Sequence, residues 1–214
     1  MAQQKMDFKK VDRDLYLPKQ SPMRIDVPTM TMLMVDGQGE PGGTAYQAAI
    51  QALYSLTFTI KMSKMEGEQP EGYFEYVVPP LEGLWWSEGG ALDWQAPRQT
   101  WRWTSMIRQP DFVTEQVFAW ACARCKVKKP DVDISGVRLS RWTEGCCVQM
   151  MHVGPYATEQ HSIEQMHQWM EENGYVDASG LTRKHHEIYL SDPRRTAPER
   201  LRTVLRLPVR MKGE

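Results

Sequence analysis

The chain has 214 residues, 41% hydrophobic and 25% charged, with 26 Lys+Arg against 27 Asp+Glu and a formal charge of −1. That composition is globular and excludes disorder as the default state; it offers no global basic field for nucleic acid or an anionic membrane, and no apolar run approaches the roughly 20 residues of a membrane helix. Met 14 and Trp 8 are an over-supply of large side chains that a core or a cleft must house.

The opening string Met1-Ala2-Gln3-Gln4-Lys5-Met6-Asp7 lacks the apolar stretch of a signal peptide. Four cysteines are too few for a disulfide scaffold, so a reducing cytoplasm is the expected location. Residues 6–28 are polar with scattered prolines and read as a lead-in with little core of its own. Thr29-Met30-Thr31-Met32-Leu33-Met34-Val35-Asp36 is a strand pattern that stops at a glycine-rich loop, residues 37–43. Thr44 is placed to cap a helix to about Lys61, with Tyr46, Ala49, Ile50, Leu53, Leu56 and Ile60 at helical spacing. A strand-like run at 73–78 follows. Then come Leu81-Glu82-Gly83-Leu84-Trp85-Trp86 and residues 100–107, read as the two strands of a long hairpin. Asp111 is expected to cap a linking helix over 111–129 that ends in basic Lys126-Val127-Lys128-Lys129, a solvated helix end suited to the dipole.

After a Pro/Asp/Gly linker the pattern restarts. Residues 146–153 form a strand, Gly154-Pro155 breaks it, and a helix runs over 156–173. Strands at 185–190 and 201–209 follow, joined by a turn through Asp192-Pro193. Both halves therefore spell strand, Gly-containing turn, helix, loop, strand, strand. The predicted fold is α+β: one domain over 1–214 made of two pseudo-symmetric modules, about 28–110 and 143–210. They form a continuous antiparallel sheet with helices on one face and a ligand groove at the junction.

Strand alternation places candidate site residues. In the strand at 185–190, Ile188 and Leu190 share one face, expected to be the helix side, and His185, Glu187 and Tyr189 share the other, expected to be open. Adjacent Trp85 and Trp86 must point oppositely, while Trp101 and Trp103 share a face. A cleft of aromatic rings around one acid houses both signals, with Trp86, Trp101, Trp103, Tyr156 and Tyr189 as walls and Glu187 at the centre.

The string at 81–86, the Gly154-Pro155-Tyr156 turn and His186-Glu187-Ile188-Tyr189-Leu190-Ser191-Asp192-Pro193-Arg194 resemble the GyrI-like small-molecule-binding domain family, in particular its stand-alone branch. The resemblance runs from about residue 28 to 209. It implies tandem modules with a groove between them, Glu187 as central acid, and lipophilic aromatic or cationic ligands. Some stand-alone members are similar to hydrolases that open the cyclopropane of DNA-alkylating compounds. In that reading Glu187 is the general base and Tyr189 or Tyr156 the oxyanion donor, with no cofactor. Regulatory relatives carry a separate DNA-binding domain, for which the first 28 residues are too short, so no nucleic-acid partner is expected. A third reading, an interaction protein that inhibits a topoisomerase, follows from the family's name.

Weaker constellations point to no metal. Cys122-Ala-Arg-Cys125 and the adjacent Cys146-Cys147 lack paired zinc-ligand spacing. Glu164-x-x-His167 occurs once where di-metal bundles need two. His185 and His186, as strand neighbours, point apart.

Overall fold

The methionine-rich run is the middle of a strand twice as long as its pattern. In the computed structural model, which describes residues 5–213, β1 spans Met23–Gln38. The first four residues of the amino-terminal string lie outside the described residues. Helix α3, Thr44–Lys61, follows β1 and is capped by Gly43, so Thr44 is its first residue. Strands β2, Leu81–Trp86, and β3, Arg102–Arg108, form the expected hairpin. Helix α4 is Glu115–Lys128; its N-cap is Thr114, whose hydroxyl accepts from Val117 N, and not Asp111. The second half comprises β4, Arg138–Val153; α5, Glu159–Glu172; β5, Tyr175–Asp177; β6, His185–Tyr189; and β7, Arg202–Met211. Residues 73–78 form no strand beyond one isolated bridge, Met6 to Tyr76.

The sheet closes. Neighbours run β4-β1-β3-β2-β6-β7, and β7 pairs back to β4, giving an antiparallel barrel with β5 as a short extension on β7. An open sheet with one free face is therefore corrected to a closed α+β barrel. The physical reason is strand length: β1 and β4 pair from Met23↔Gln149 to Met34↔Arg138, while β1 also pairs with β3 and β4 with β7. The two inner orders, β1-β3-β2 and β4-β7-β6, meet at the β2–β6 pair.

Closure separates an inside from an outside, and alternation along β1 serves both. Met30, Met32 and Met34 pack with Met106, Met151, Leu84, Ile188 and Val204 inside the barrel. Leu33 and Val35 face outward beneath α3, whose Tyr46, Ala49, Leu53, Leu56 and Ile60 cover them. Helix α5 lays Ile163, Met166 and Met170 on Val148, Met150, Leu205 and Leu207. Unbranched, polarisable methionine fills the irregular interior of a small barrel. The lead-in is not coreless either. Two single-turn helices, α1 (Phe8–Val11) and α2 (Arg13–Tyr16), bring Phe8, Leu15 and Tyr16 into that interior cluster. No described helix is long and apolar enough to cross a membrane.

The interior also encloses charge. Arg206, 1% exposed, donates from Nη1 to Glu144 Oε2 at 2.7 Å, from Nε and Nη2 to Gln149 Oε1 at 3.1 and 3.0 Å, and from Nη2 to the Leu15 carbonyl at 2.8 Å. Fully buried His186 lies between two carboxylates, Nδ1 3.0 Å from Glu144 Oε1 and Nε2 3.0 Å from Glu82 Oε2. Tyr16 donates its hydroxyl to Glu82 Oε1 at 3.3 Å. With His186 protonated, two cations offset two anions. Burial opposes ionisation of Glu144, but His186 and Arg206 outweigh it and hold the carboxyl down at about 2. Burial likewise disfavours the imidazolium of His186, and Glu144 and Glu82 outweigh that and raise it.

Removing one partner of such a network strands the other, so Arg206→Met should lower the unfolding free energy by about 3–5 kcal/mol in urea titration. The contribution of Glu144 is full above the usual carboxylate range and lost as pH falls through about 2. That of His186 is full below about 6.5 and lost as pH rises through its elevated value. The urea midpoint should therefore decline at alkaline pH in the wild type, and that decline should shrink in His186→Gln.

Candidate functional site

Register across the β2–β6 seam assembles the candidate site on the barrel's outer face. Gly83 pairs with Glu187 on one side and Ser105 on the other, and Glu187 pairs in turn with Leu205. One step along, Trp103, Trp85 and His185 form the next row; one step back lie Tyr189 and Thr203. These rows lie between the patch under α3 and the patch under α5. The sequence grouping of His185, Glu187 and Tyr189 on one face thus holds, but their face is the helix-covered one, and Ile188 faces the barrel interior with Met30 and Val204. An apolar residue cannot report which side is inside when both sides are.

Glu187 is 7% exposed and both its oxygens are held. His185 Nε2 donates to Oε1 at 3.0 Å and the Tyr189 hydroxyl donates to Oε2 at 2.8 Å. Tyr189 itself accepts from Trp85 Nε1 at 2.8 Å, so indole, phenol and carboxylate form one relay. Burial and then the charge of Glu187 push the Tyr189 phenol well up, which keeps it protonated and donating. Gly83 makes the relay possible. A Cβ there would stand 2.8 Å from Trp85 Nε1 and 3.1 Å from the Tyr189 oxygen.

Aromatic rings surround the relay. Tyr46 of α3 is tilted on Trp85 at 5.4 Å and edge-on to Trp103 at 5.2 Å between centroids. Trp101 is edge-on to Trp85 at 6.1 Å, and Trp94, from the loop after β2, is edge-on to Trp101 at 5.8 Å and to His185 at 5.5 Å. The indole N–H groups of Trp101 and Trp103 and the Ser105 hydroxyl are buried without partners. Tyr156 lies edge-on to Tyr189 at 6.1 Å and is 39% exposed, so it forms the rim. Burial, with Glu159 and Glu187 nearby, pushes its phenol up to about 12.

The structure thus brings Glu187, Tyr189, Tyr156, Trp101 and Trp103 into one neighbourhood. It places Trp86 elsewhere: that ring packs against the barrel-interior cluster beneath the Lys184 ammonium, 4.8 Å from its centroid. The tryptophan that reaches Glu187's partner is Trp85. Trp85, Trp94, Tyr46, Gly83 and Glu159 were not singled out from the sequence. Trp85 had a signal in the hairpin register, since it sits opposite Trp103; Glu159 and Tyr46 arrive from helices and had none.

Two surface depressions of about 620 and 550 Å³ lie apart from this cluster, one around Ser87–Asp93 and Arg102, the other between Tyr54, Phe58 and Lys129. Neither is lined by Glu187, Tyr189 or Glu159. The candidate site is placed by its convergent buried polar groups and not by either hollow. All four cysteines are free thiols. Among the described residues no group of three or more His, Cys, Asp or Glu is arranged to hold a metal.

A family model described as the GyrI-like small molecule binding domain matches residues 21–210. Among solved structures, an uncharacterized conserved protein from Listeria innocua is 56% identical, with a TM-score of 0.93, over 96% of this chain and 100% of that one. A hydrolase from Listeria innocua is 54% identical, with a TM-score of 0.89, over 96% and 100%. The C-terminal domain of EcmrR is 14% identical, with a TM-score of 0.53, over 89% and 98%, a likeness of fold. No curated protein sequence matches.

Gly83→Val should displace both Trp85 and Tyr189. Overpacking of this kind costs about 1–3 kcal/mol, readable as a lowered denaturation midpoint with altered tryptophan emission. Unchanged emission would mean that the close packing over Gly83 is absent in solution.

Proposed function

The chain belongs to the GyrI-like small-molecule-binding domain family, and from that premise we propose that it binds a planar, largely apolar molecule around Glu187 and hydrolyses it. In this reading the two strand–helix–strand–strand modules, about 28–110 and 143–210, meet at the β2–β6 seam, and the cleft between α3 and α5 is the ligand groove. The observation that carries the reading is the state of Glu187. The carboxylate is buried among rings and oriented by two hydrogen-bond donors, while among the described residues no lysine or arginine pairs with it. Such an acid is aimed without a lysine or arginine to hold its charge, which suits a general base. The hydrolase from Listeria innocua, matching nearly the whole chain, supports a catalytic role.

The substrate class that asks least of such a site is an electrophilic cyclopropane conjugated to a carbonyl, as in DNA-alkylating compounds. Tyr156, exposed at the rim, admits the planar system, and the packed set of Trp85, Trp101, Trp103 and Tyr46 walls the site behind it. Glu187 takes a proton from water, the water oxygen bonds to the ring carbon, and a ring C–C bond breaks with its electron pair passing to the carbonyl oxygen. Tyr189 aims its proton at Glu187 and so orients the base; it is not the oxyanion donor in this arrangement. Stacking excludes bulk water, and no metal or cofactor enters the scheme.

A receptor for lipophilic cations is the second reading, favoured by the same unneutralised charge among aromatic rings, where each ring adds about 0.5–2 kcal/mol of cation–π attraction. Glu187→Gln separates the two. For the hydrolase, the variant should still quench its tryptophan fluorescence on binding a neutral cyclopropyl substrate but lose turnover by about 10²–10⁴-fold. For the receptor, wild type shows no product, and the variant loses affinity for cations while keeping it for neutral isosteres. A variant equal to wild type in both assays would remove Glu187 from the function.

A further inference from the structure

A second buried carboxyl group lies three residues after Tyr156, whose ring meets that of Tyr189, the partner of Glu187, edge-on at 6.1 Å. Glu159, the first residue of α5, is 2% exposed, and its Oε1 has no hydrogen-bond partner. Among the described residues no lysine or arginine forms an ion pair with it. The groups that act on it come from four segments: Glu187 and Tyr189 from β6, Tyr156 from the turn before α5, Thr203 from β7, and Arg98 from the turn before β3. Two buried carboxyl groups that lack a lysine or arginine partner and feel one another's charge resist ionising together; one keeps a proton. Hydrogen bonding decides which. Glu187 accepts from two donors, as an anion does. Glu159 leaves an oxygen bare. Burial and then the charge of Glu187 raise the Glu159 carboxyl well above its usual range, against the smaller opposing pulls of Thr203 and Arg98.

We infer that Glu159 is the proton donor of this site, hydrogen-bonding an oxygen atom of the bound molecule and surrendering its proton to it. The inference rests on the hydrolytic reading above. It completes the balance of that reaction. Water gives one proton to Glu187 and its oxygen to the electrophilic carbon. The broken C–C bond delivers its electron pair through the conjugated system to the carbonyl oxygen, which takes the proton of Glu159. The product is the ring-opened alcohol bearing a hydroxyl where the carbonyl stood. Glu187 is then the acid and Glu159 the anion, and one proton passed back through water restores both. One water is consumed, and no oxidant or reductant is needed. Two carboxyl groups of one residue type thus take opposite roles because one is stabilised as an anion and the other is not.

The test combines turnover with a direct view of the proton. Glu159→Gln keeps the side-chain shape and an N–H donor but has no proton to transfer. Turnover of a cyclopropyl substrate should fall by at least about 10²-fold, with binding by fluorescence quenching retained. The wild-type loss of kcat/KM at alkaline pH should be absent from the residual activity. Infrared difference spectra across a pH titration should show a protonated-carboxyl band at neutral pH that vanishes in Glu159→Gln. In Glu187→Gln, where the neighbouring charge is gone, the band should titrate at lower pH. Wild-type turnover in Glu159→Gln, or no carboxyl band attributable to Glu159, overturns the inference. If the wild type turns over no substrate while the band is present, the hydrolytic reading fails on its own. Glu159 then stands as a hydrogen-bond donor only if Glu159→Ala weakens binding of a carbonyl-bearing ligand more than that of its deoxygenated counterpart, and falls if it does not.

Discussion

The pairing of β1 with β4 is the constraint on which the remaining structure depends. Each strand is sixteen residues long, and each has a partner on both edges. A sheet with no free edge has an enclosed face, and an enclosed face must be filled or it leaves voids, each of which costs stability. The fillers are methionines from β1, β3 and β4 with Phe8, Leu15 and Tyr16 from the lead-in. Closure also sends the long helices α3, α4 and α5 outside, while the single-turn α2 puts its Leu15 carbonyl against interior Arg206.

Enclosure makes polar groups inside expensive unless each is paired. The barrel meets this with a balanced set. Arg206 is satisfied by Glu144, Gln149 and a backbone carbonyl, and His186 bridges Glu144 and Glu82. Several of these partners come from strands distant in sequence, and Leu15 and Tyr16 belong to the lead-in. The network therefore ties the first residues of the fold to the last strand. A hydrophobic replacement of the whole set could be as stable; what the charges add is a single register in which Arg206, Gln149 and Glu144 find their partners at once.

On the outer face the same strands run the opposite policy. Glu187 receives donors but no lysine or arginine, Glu159 retains a bare oxygen, and the indole N–H groups of Trp101 and Trp103 are buried without acceptors. Unmet polar capacity of this kind costs about 1–3 kcal/mol per group. The share of it that lies near the seam, where β2 and β6 bring the two halves of the chain together, is where a bound molecule could recover it.

Much of this was legible in the residues. Alternation grouped His185, Glu187 and Tyr189, the period of Tyr46, Leu53 and Ile60 marked a helix face, and the family motifs singled out Glu187. Local geometry sets these features: a strand points successive side chains apart, and a helix repeats every 3.6 residues, whatever surrounds them. Which face was enclosed was not legible, because apolar residues line both sides of β1 and β6, and a residue such as Ile188 reads the same facing a helix or facing a barrel interior. Nor was the choice of Trp85 over Trp86, which depends on the same sidedness. Phe8, Leu15 and Tyr16 lie in a polar stretch too short for any period. Glu159 is an ordinary first-turn acid until α5 is laid across β4 and β7. Closure of the sheet and the approach of two helices to one seam are long-range events, and only the tertiary structure decided them.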